Sequence, residues 1–203
     1  MKKFFQDPRI LIGLLIAHVL LFFSFQDRTI FWYIFSGSIL VLIAYSSFQE
    51  DVDDKLSVIQ FIIFGALSGF LLYFVFWLGL WAMKILHLPF DTSIKNLYNW
   101  YAPALFWQYL ALVLVAAPGE ELFWRGFIQT RLSKYFNPIV SILTGSVLYA
   151  SVHIYSGSFL LVLAAFISGL FWGYLYFLKK SMPLVIVSHI IFDLMIFIIL
   201  PFK

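Results

Sequence analysis

The sequence predicts an all-α fold: a polytopic membrane helical bundle of about seven transmembrane helices, forming one integral membrane domain over residues 1–203. Three observations predict it. Hydrophobic residues make up 63% of the chain and charged residues 11%, whereas a soluble domain is nearer half apolar and a quarter charged. The charges fall at intervals and separate apolar runs of about twenty residues, the length that crosses a bilayer. The runs are apolar on every side, without the polar–apolar alternation of a membrane barrel.

The elements follow in order. Residues 1–9, MKKFFQDPR, precede an apolar run at 9–26. This resembles a signal sequence, but no small-x-small cleavage site follows, so a retained first span is expected. Further apolar segments lie at 30–48, 57–82, 101–131, 138–155, 157–178 and 183–200, broken by QDRT, QEDVDDK, HLPFDTSIKNLYN, RLSKYFNP, YSGS and KKSMP. Tyr98, Trp100 and Tyr101 close the longest break and suit a membrane–water interface. Residues 1–99 are read as N-terminal helices and 100–200 as the core that carries the polar motifs. Gly65–Gly69 and Gly169–Gly173 fit the small-xxx-small pattern of close helix packing.

Lys and Arg in short loops set orientation. With the N-terminus inside, Lys2, Lys3, Arg9, Lys55, Arg131, Lys134, Lys179 and Lys180 lie inside, against Arg28, Lys84, Lys95 and Lys203 outside. The N-terminus is therefore expected in the cytoplasm, and the minimal loops suggest a bacterial cell membrane. The net charge of +3 comes from segment ends and gives no argument for nucleic acid; absence of Cys excludes disulfides and Cys-ligated zinc.

Within the fourth segment stands APGEELFWRGF, residues 117–127. An unpaired ion at the bilayer centre costs roughly 2.5–3.5 kcal/mol even on the insertion scale, so three ionisable groups there point to a polar interior site. Residues 101–131 would make roughly 46 Å of helix, too long for a simple span. Pro118 is its natural bend, since it lacks the N–H for the Leu114 carbonyl. Glu120 and Glu121 point about 100° apart on a helix, so they are not expected to face one point and need not share one task. Arg125, four residues after Glu121, is a natural ion-pair partner for it. Glu120 has no such partner, as a general base or acid requires. A structural ion pair with Glu120 at the membrane edge is the plainer alternative.

Two other segments share this character. SVLYASVHIY carries His153, with Tyr149 one turn earlier on the same face; VIVSHIIFDLM carries His189 and Asp193, four apart. His18 and His87 are read as ordinary hydrogen-bonded histidines. Measured from the inner helix ends, Glu120, His153, His189 and Asp193 fall about 18, 22, 9 and 15 Å deep, so they could line one cavity.

The three motifs, Glu-Glu-x-x-x-Arg (EELFWR), aromatic-x-x-x-His (YASVH) and His-x-x-x-Asp (HIIFD), in that order on separate helices, resemble the CPBP family of CAAX-prenyl endopeptidases and bacteriocin-processing or self-immunity proteins, also called Abi proteins. The resemblance covers roughly residues 100–195. It implies an intramembrane endopeptidase acting on a membrane-associated peptide or protein. Glu120 and His153 would activate water, His189 and Asp193 would stabilise the oxyanion, and Glu121 and Arg125 would form a supporting ion pair. Asp193 stands where the family often has Asn, and can donate to an oxyanion only when protonated. Metal dependence is left open: Glu120, His153, His189 and Asp193 could hold a divalent ion such as zinc, yet the His-Glu-x-x-His helix of soluble zinc proteases is absent from the sequence. A non-catalytic immunity or peptide-binding protein and a proton or ion carrier are the rival readings. A carrier predicts repeat symmetry, which the sequence lacks. Substrate and oligomeric state are not encoded legibly.

Overall fold

The structure, a computed structural model, describes residues 7–49 and 54–202. Lys2, Lys3 and Lys203, which entered the orientation argument, lie outside the described residues, as do most of the acidic EDVDD run and most of the leader before the first span. The described residues form helices and no named strand. They are α1 (Pro8–Gln26), α2 (Phe31–Ser47), α3 (Val58–Ile85), α4 (Asp91–Tyr101), α5 (Phe106–Leu132), α6 (Pro138–Ser156), α7 (Phe159–Lys179) and α8 (Met182–Ile199). Five of these are long and apolar enough to cross a membrane, and α4 with α5 passes the same test when the bent pair is taken together. α2 is shorter, at 17 residues. The polytopic helical bundle is borne out.

Local chemistry sets the starts. Asp7, Ser57, Asn137, Ser158 and Ser181 each accept a backbone N–H of the turn they open. Pro8 and Pro138 follow their caps directly, where the missing N–H is harmless and the fixed φ favours a helix. Gly157, at φ 70°, ends the last turn of α6 in the left-handed conformation that glycine adopts freely.

Two expectations are corrected. The break at 87–99 is not a loop: Asp91–Tyr101 is helical and amphipathic. Ile94, Leu97, Tyr98 and Tyr101 form its apolar stripe and line a cavity, while Asp91, Lys95 and Asn99 lie off that stripe. And the sharp bend of this region falls at 102–105, where α4 and α5 meet at 98°, not at Pro118. Helix α5 runs through Pro118 because π-helical turns at Leu112–Ala116 and Leu122–Gln129 flank it. Ala117 donates five residues back to the Leu112 carbonyl. Widening the ladder just before the proline absorbs its missing donor within the helix.

Both glycine pairs pack inside the monomer. Gly65 and Gly69 face α8, against Val187, Ser188 and Ile191; Gly169 faces Ser146 of α6, and Gly173 faces Gln129 of α5. In lipid there is no hydrophobic drive between helices, so close backbone approach supplies the contact. At one end of the bundle Arg131 bonds Asp7 and Asp54 bridges to Ser181. At the other, Tyr101 donates to the Ser156 carbonyl, Tyr98 to the Ile196 carbonyl, and Arg28 lies 3.5 Å over the Trp100 ring.

Candidate active site

The site is built where α5, α6 and α8 meet. α5 brings Glu120, Glu121 and Arg125, which are 7%, 0% and 2% exposed. Charges this deep persist only when partnered. Arg125 Nη1 lies 3.1 Å from Glu121 Oε1, one turn away. Its guanidinium also sits 4.7 Å over the Tyr149 ring and 5.3 Å from that of Trp172. Such faces attract a desolvated cation and compensate in part for Arg125 Nη2 and Glu121 Oε2, which are buried without a hydrogen-bond partner among the described residues.

Glu120 takes no part in that pair. Its Oε2 accepts the Tyr149 hydroxyl at 2.7 Å and lies 3.9 Å from His189 Nε2. His189 Nδ1 is 2.7 Å from Glu121 Oε1; a carboxylate only accepts, so Nδ1 carries the proton. The same ring's Nε2 lies 3.6 Å from Asp193 Oδ2. The two adjacent glutamates therefore do meet on one side chain, at its opposite nitrogens. The 100° helical offset governs where the side chains leave the backbone; their two methylenes let the carboxylates swing back around one imidazole. His189 is further fixed by Trp172, stacked on it at 3.8 Å, whose Nε1 donates to Ser188 Oγ.

His153 stands apart. It caps the α-helical part of α6, and its Nδ1 donates to the Tyr149 carbonyl at 2.9 Å. Its tautomer is thereby fixed, with Nε2 an acceptor. No hydrogen bond joins His153 to Glu120 among the described residues. What they share is a cavity of about 330 Å³, lined by Glu120, Tyr149, His153, His189 and Asp193 on one side. Its other walls are apolar, from α2, α3, α4 and α7, with Phe31, Leu97 and Ala165 among them. This is the size and character of a ligand site.

Tyr149 and Trp172 were not assigned roles from sequence, though both carried a signal. A Tyr or Trp inside a lipid-facing segment must find a partner for its polar atom. Tyr149 finds Glu120, and Trp172 finds Ser188 and the His189 face.

The residues do not form a ready metal cage: among the described residues no three His, Asp or Glu side chains group in a way that could hold an ion. His189 has Nδ1 committed to Glu121, and Glu120 has Oε2 committed to Tyr149.

Residues 102–195 match the model of one family, described as type II CAAX prenyl endopeptidase Rce1-like. No curated protein and no solved structure matches the chain significantly. The matched span begins where α4 ends and holds all six residues singled out from the three motifs. The match covers just under half of the chain and supports the resemblance of this core to the CPBP family of CAAX-protease-like membrane proteins.

Proposed function

We propose that the chain is an intramembrane endopeptidase that hydrolyses a peptide bond of a membrane-associated peptide or protein with water activated by Glu120 and His153. The observation that carries this reading is the division between two adjacent buried carboxylates. Glu121 is tied to Arg125 and His189, while Glu120 has, among the described residues, only a neutral hydroxyl as a close hydrogen-bond donor and borders the cavity.

The steps follow from the donors. Tyr149 holds Glu120 Oε2 and leaves Oε1 to face a water. His153 Nε2 accepts a hydrogen bond from the same water. As the water oxygen bonds to the carbonyl carbon, its proton passes to Glu120 and the carbonyl π electrons move onto oxygen. His189, with protons on both nitrogens, donates Nε2–H to that oxyanion, and protonated Asp193 donates beside it. Donors set in advance, in a dry site, are worth more than in water. Collapse breaks the C–N bond, and Glu120 returns the proton to the leaving nitrogen.

The apolar cavity walls suit a peptide with apolar flanks rather than a polar one. The N-terminal end of the bundle carries Arg9, Lys55, Arg131, Lys134, Lys179 and Lys180, which favours that end in the cytoplasm. The test is cleavage of a quenched-fluorescence peptide library by purified protein in detergent, beside Glu120→Gln and His153→Ala, with and without a chelator. Loss in both variants and indifference to the chelator is expected. Chelator-sensitive activity restored by zinc would replace the water-activation scheme with a metal-dependent one. Cleavage that survives both substitutions would remove these residues from the mechanism.

A further inference from the structure

His18 lies on α1, far outside residues 102–195, and the hydrolytic scheme does not use it. Its surroundings are specific. Nδ1 is 2.9 Å from the Tyr155 hydroxyl, and Nε2 is 3.2 Å from Ser151 Oγ. Ser151 gives its own hydrogen to the Leu148 carbonyl at 2.7 Å, so toward His18 it can only accept. His18 Nε2 must therefore carry the proton, and Nδ1 must accept from Tyr155. Every hydrogen in the chain Tyr155–His18–Ser151–Leu148 has one direction. The His18 and Phe22 rings also meet the Tyr155 ring edge-on, at 5.7 and 5.4 Å.

Ser151 and Tyr155 lie two residues before and two after His153. At that point α6 leaves α-helical geometry for a 3-10 turn, His153–Ser156, and stops at Gly157. Short turns of this kind are weakly held by their own hydrogen bonds. From outside, Tyr101 donates to the Ser156 carbonyl, and His18 grips both flanks of His153. His18, Ser151 and Tyr155 are half-buried between α1 and α6.

We propose that His18 is a positioning residue: by bonding Ser151 and Tyr155 together, it fixes the turn that aims His153 Nε2 into the cavity. This rests on the role given to His153 above. It places a determinant of the reaction in the N-terminal helices, outside the span that matches the family.

The test compares wild type, His18→Phe, His18→Gln, Tyr155→Phe and the His18→Phe/Tyr155→Phe double variant, all full length in detergent. Phe keeps a ring but no polar atom; Gln restores one acceptor and one donor. With peptide substrate, His18→Phe is expected to lower kcat about tenfold or more with KM little changed, since misplacing a catalytic group by about 1 Å can cost 10²-fold. His18→Gln should recover most of the loss, and Tyr155→Phe should cost little more once His18 is Phe. Wild-type kcat in His18→Phe, or a loss that Gln fails to rescue, overturns the proposal. A second readout needs no turnover: amide hydrogen exchange across residues 148–158 should quicken in His18→Phe and stay slow in His18→Gln. If wild type cleaves nothing, the protease reading fails, and unchanged exchange in His18→Phe separately overturns the bracing.

Discussion

Replacing Gly69 by Ala adds one methyl group to α3 at its tightest contact with α8. The new Cβ would lie 2.6 Å from the Ser188 carbonyl oxygen and 2.8 Å from Ile191 Cβ. Comfortable C···O contact begins at about 3.3 Å, so the helices must part by roughly 0.7 Å there. The obstructing atom is backbone and cannot rotate away. Ser188 immediately precedes His189, whose Nδ1 sits 2.7 Å from Glu121 Oε1. A shift of that size, if carried to the ring, takes the bond to the edge of hydrogen-bonding range. Overpacking of this kind costs about 1–3 kcal/mol, and a weakened hydrogen bond to a charged group up to about 1.5–3 kcal/mol more. Gly37→Ala is the control, since its Cβ meets nothing within 4 Å. Thermal unfolding in detergent and turnover of a peptide substrate are read together. Gly69→Ala is expected to unfold at lower temperature and to turn over at least tenfold more slowly, with Gly37→Ala at wild-type values on both. Equal stability and turnover in the two variants would refute the claim that the glycine contact sets the position of His189.

The remaining predictions test other parts of the cluster. Glu121→Ala leaves Arg125 buried without its carboxylate and should cost about 3–5 kcal/mol; Glu121→Leu with Arg125→Met should recover much of it, as read by thermal unfolding of the three proteins. Tyr149→Phe removes the hydroxyl that bonds Glu120, so peptide turnover should fall roughly 10–100-fold, the worth of a hydrogen bond to a charged group, with the fold retained by circular dichroism. At the N-terminal end, burial works to raise the Asp7 carboxyl, but hydrogen bonds from Tyr135 and Arg131 and the Arg131 charge outweigh it and hold it below the ordinary carboxylate value. A lowered folded value means this contribution to stability is complete above about pH 4 and fades as pH falls through the folded value. Wild type should therefore lose thermal stability on acidification more steeply than Asp7→Asn, and parallel curves would show that the Asp7 pair contributes nothing.

Residue by residue, the sequence went further with the membrane helices than with the site. A run such as 157–178 needs only its length and apolarity to declare a span, because lipid forces every backbone polar group to be satisfied within the segment. The structure returns it as Phe159–Lys179. The same reasoning missed α4, since an eleven-residue amphipathic helix is polar enough to read as a loop. It also placed the bend at Pro118, where π-helical turns instead carry α5 through. Local rules forbid the regular helix at a proline, but do not say which irregularity will replace it.

Composition and helical period alone establish that this is a membrane bundle, that the Glu, His and Asp residues of the three motifs sit on three helices, and that Glu121 has a partner at Arg125 one turn away. Both are properties of single segments. Only the tertiary structure decided that Glu121 also holds His189, that Tyr149 rather than His153 bonds Glu120, and that His18 reaches the turn bearing His153. Those contacts join residues 29 to 137 positions apart. They depend on how far each helix is rotated and how closely glycine lets it approach, and neither quantity is written in any one segment.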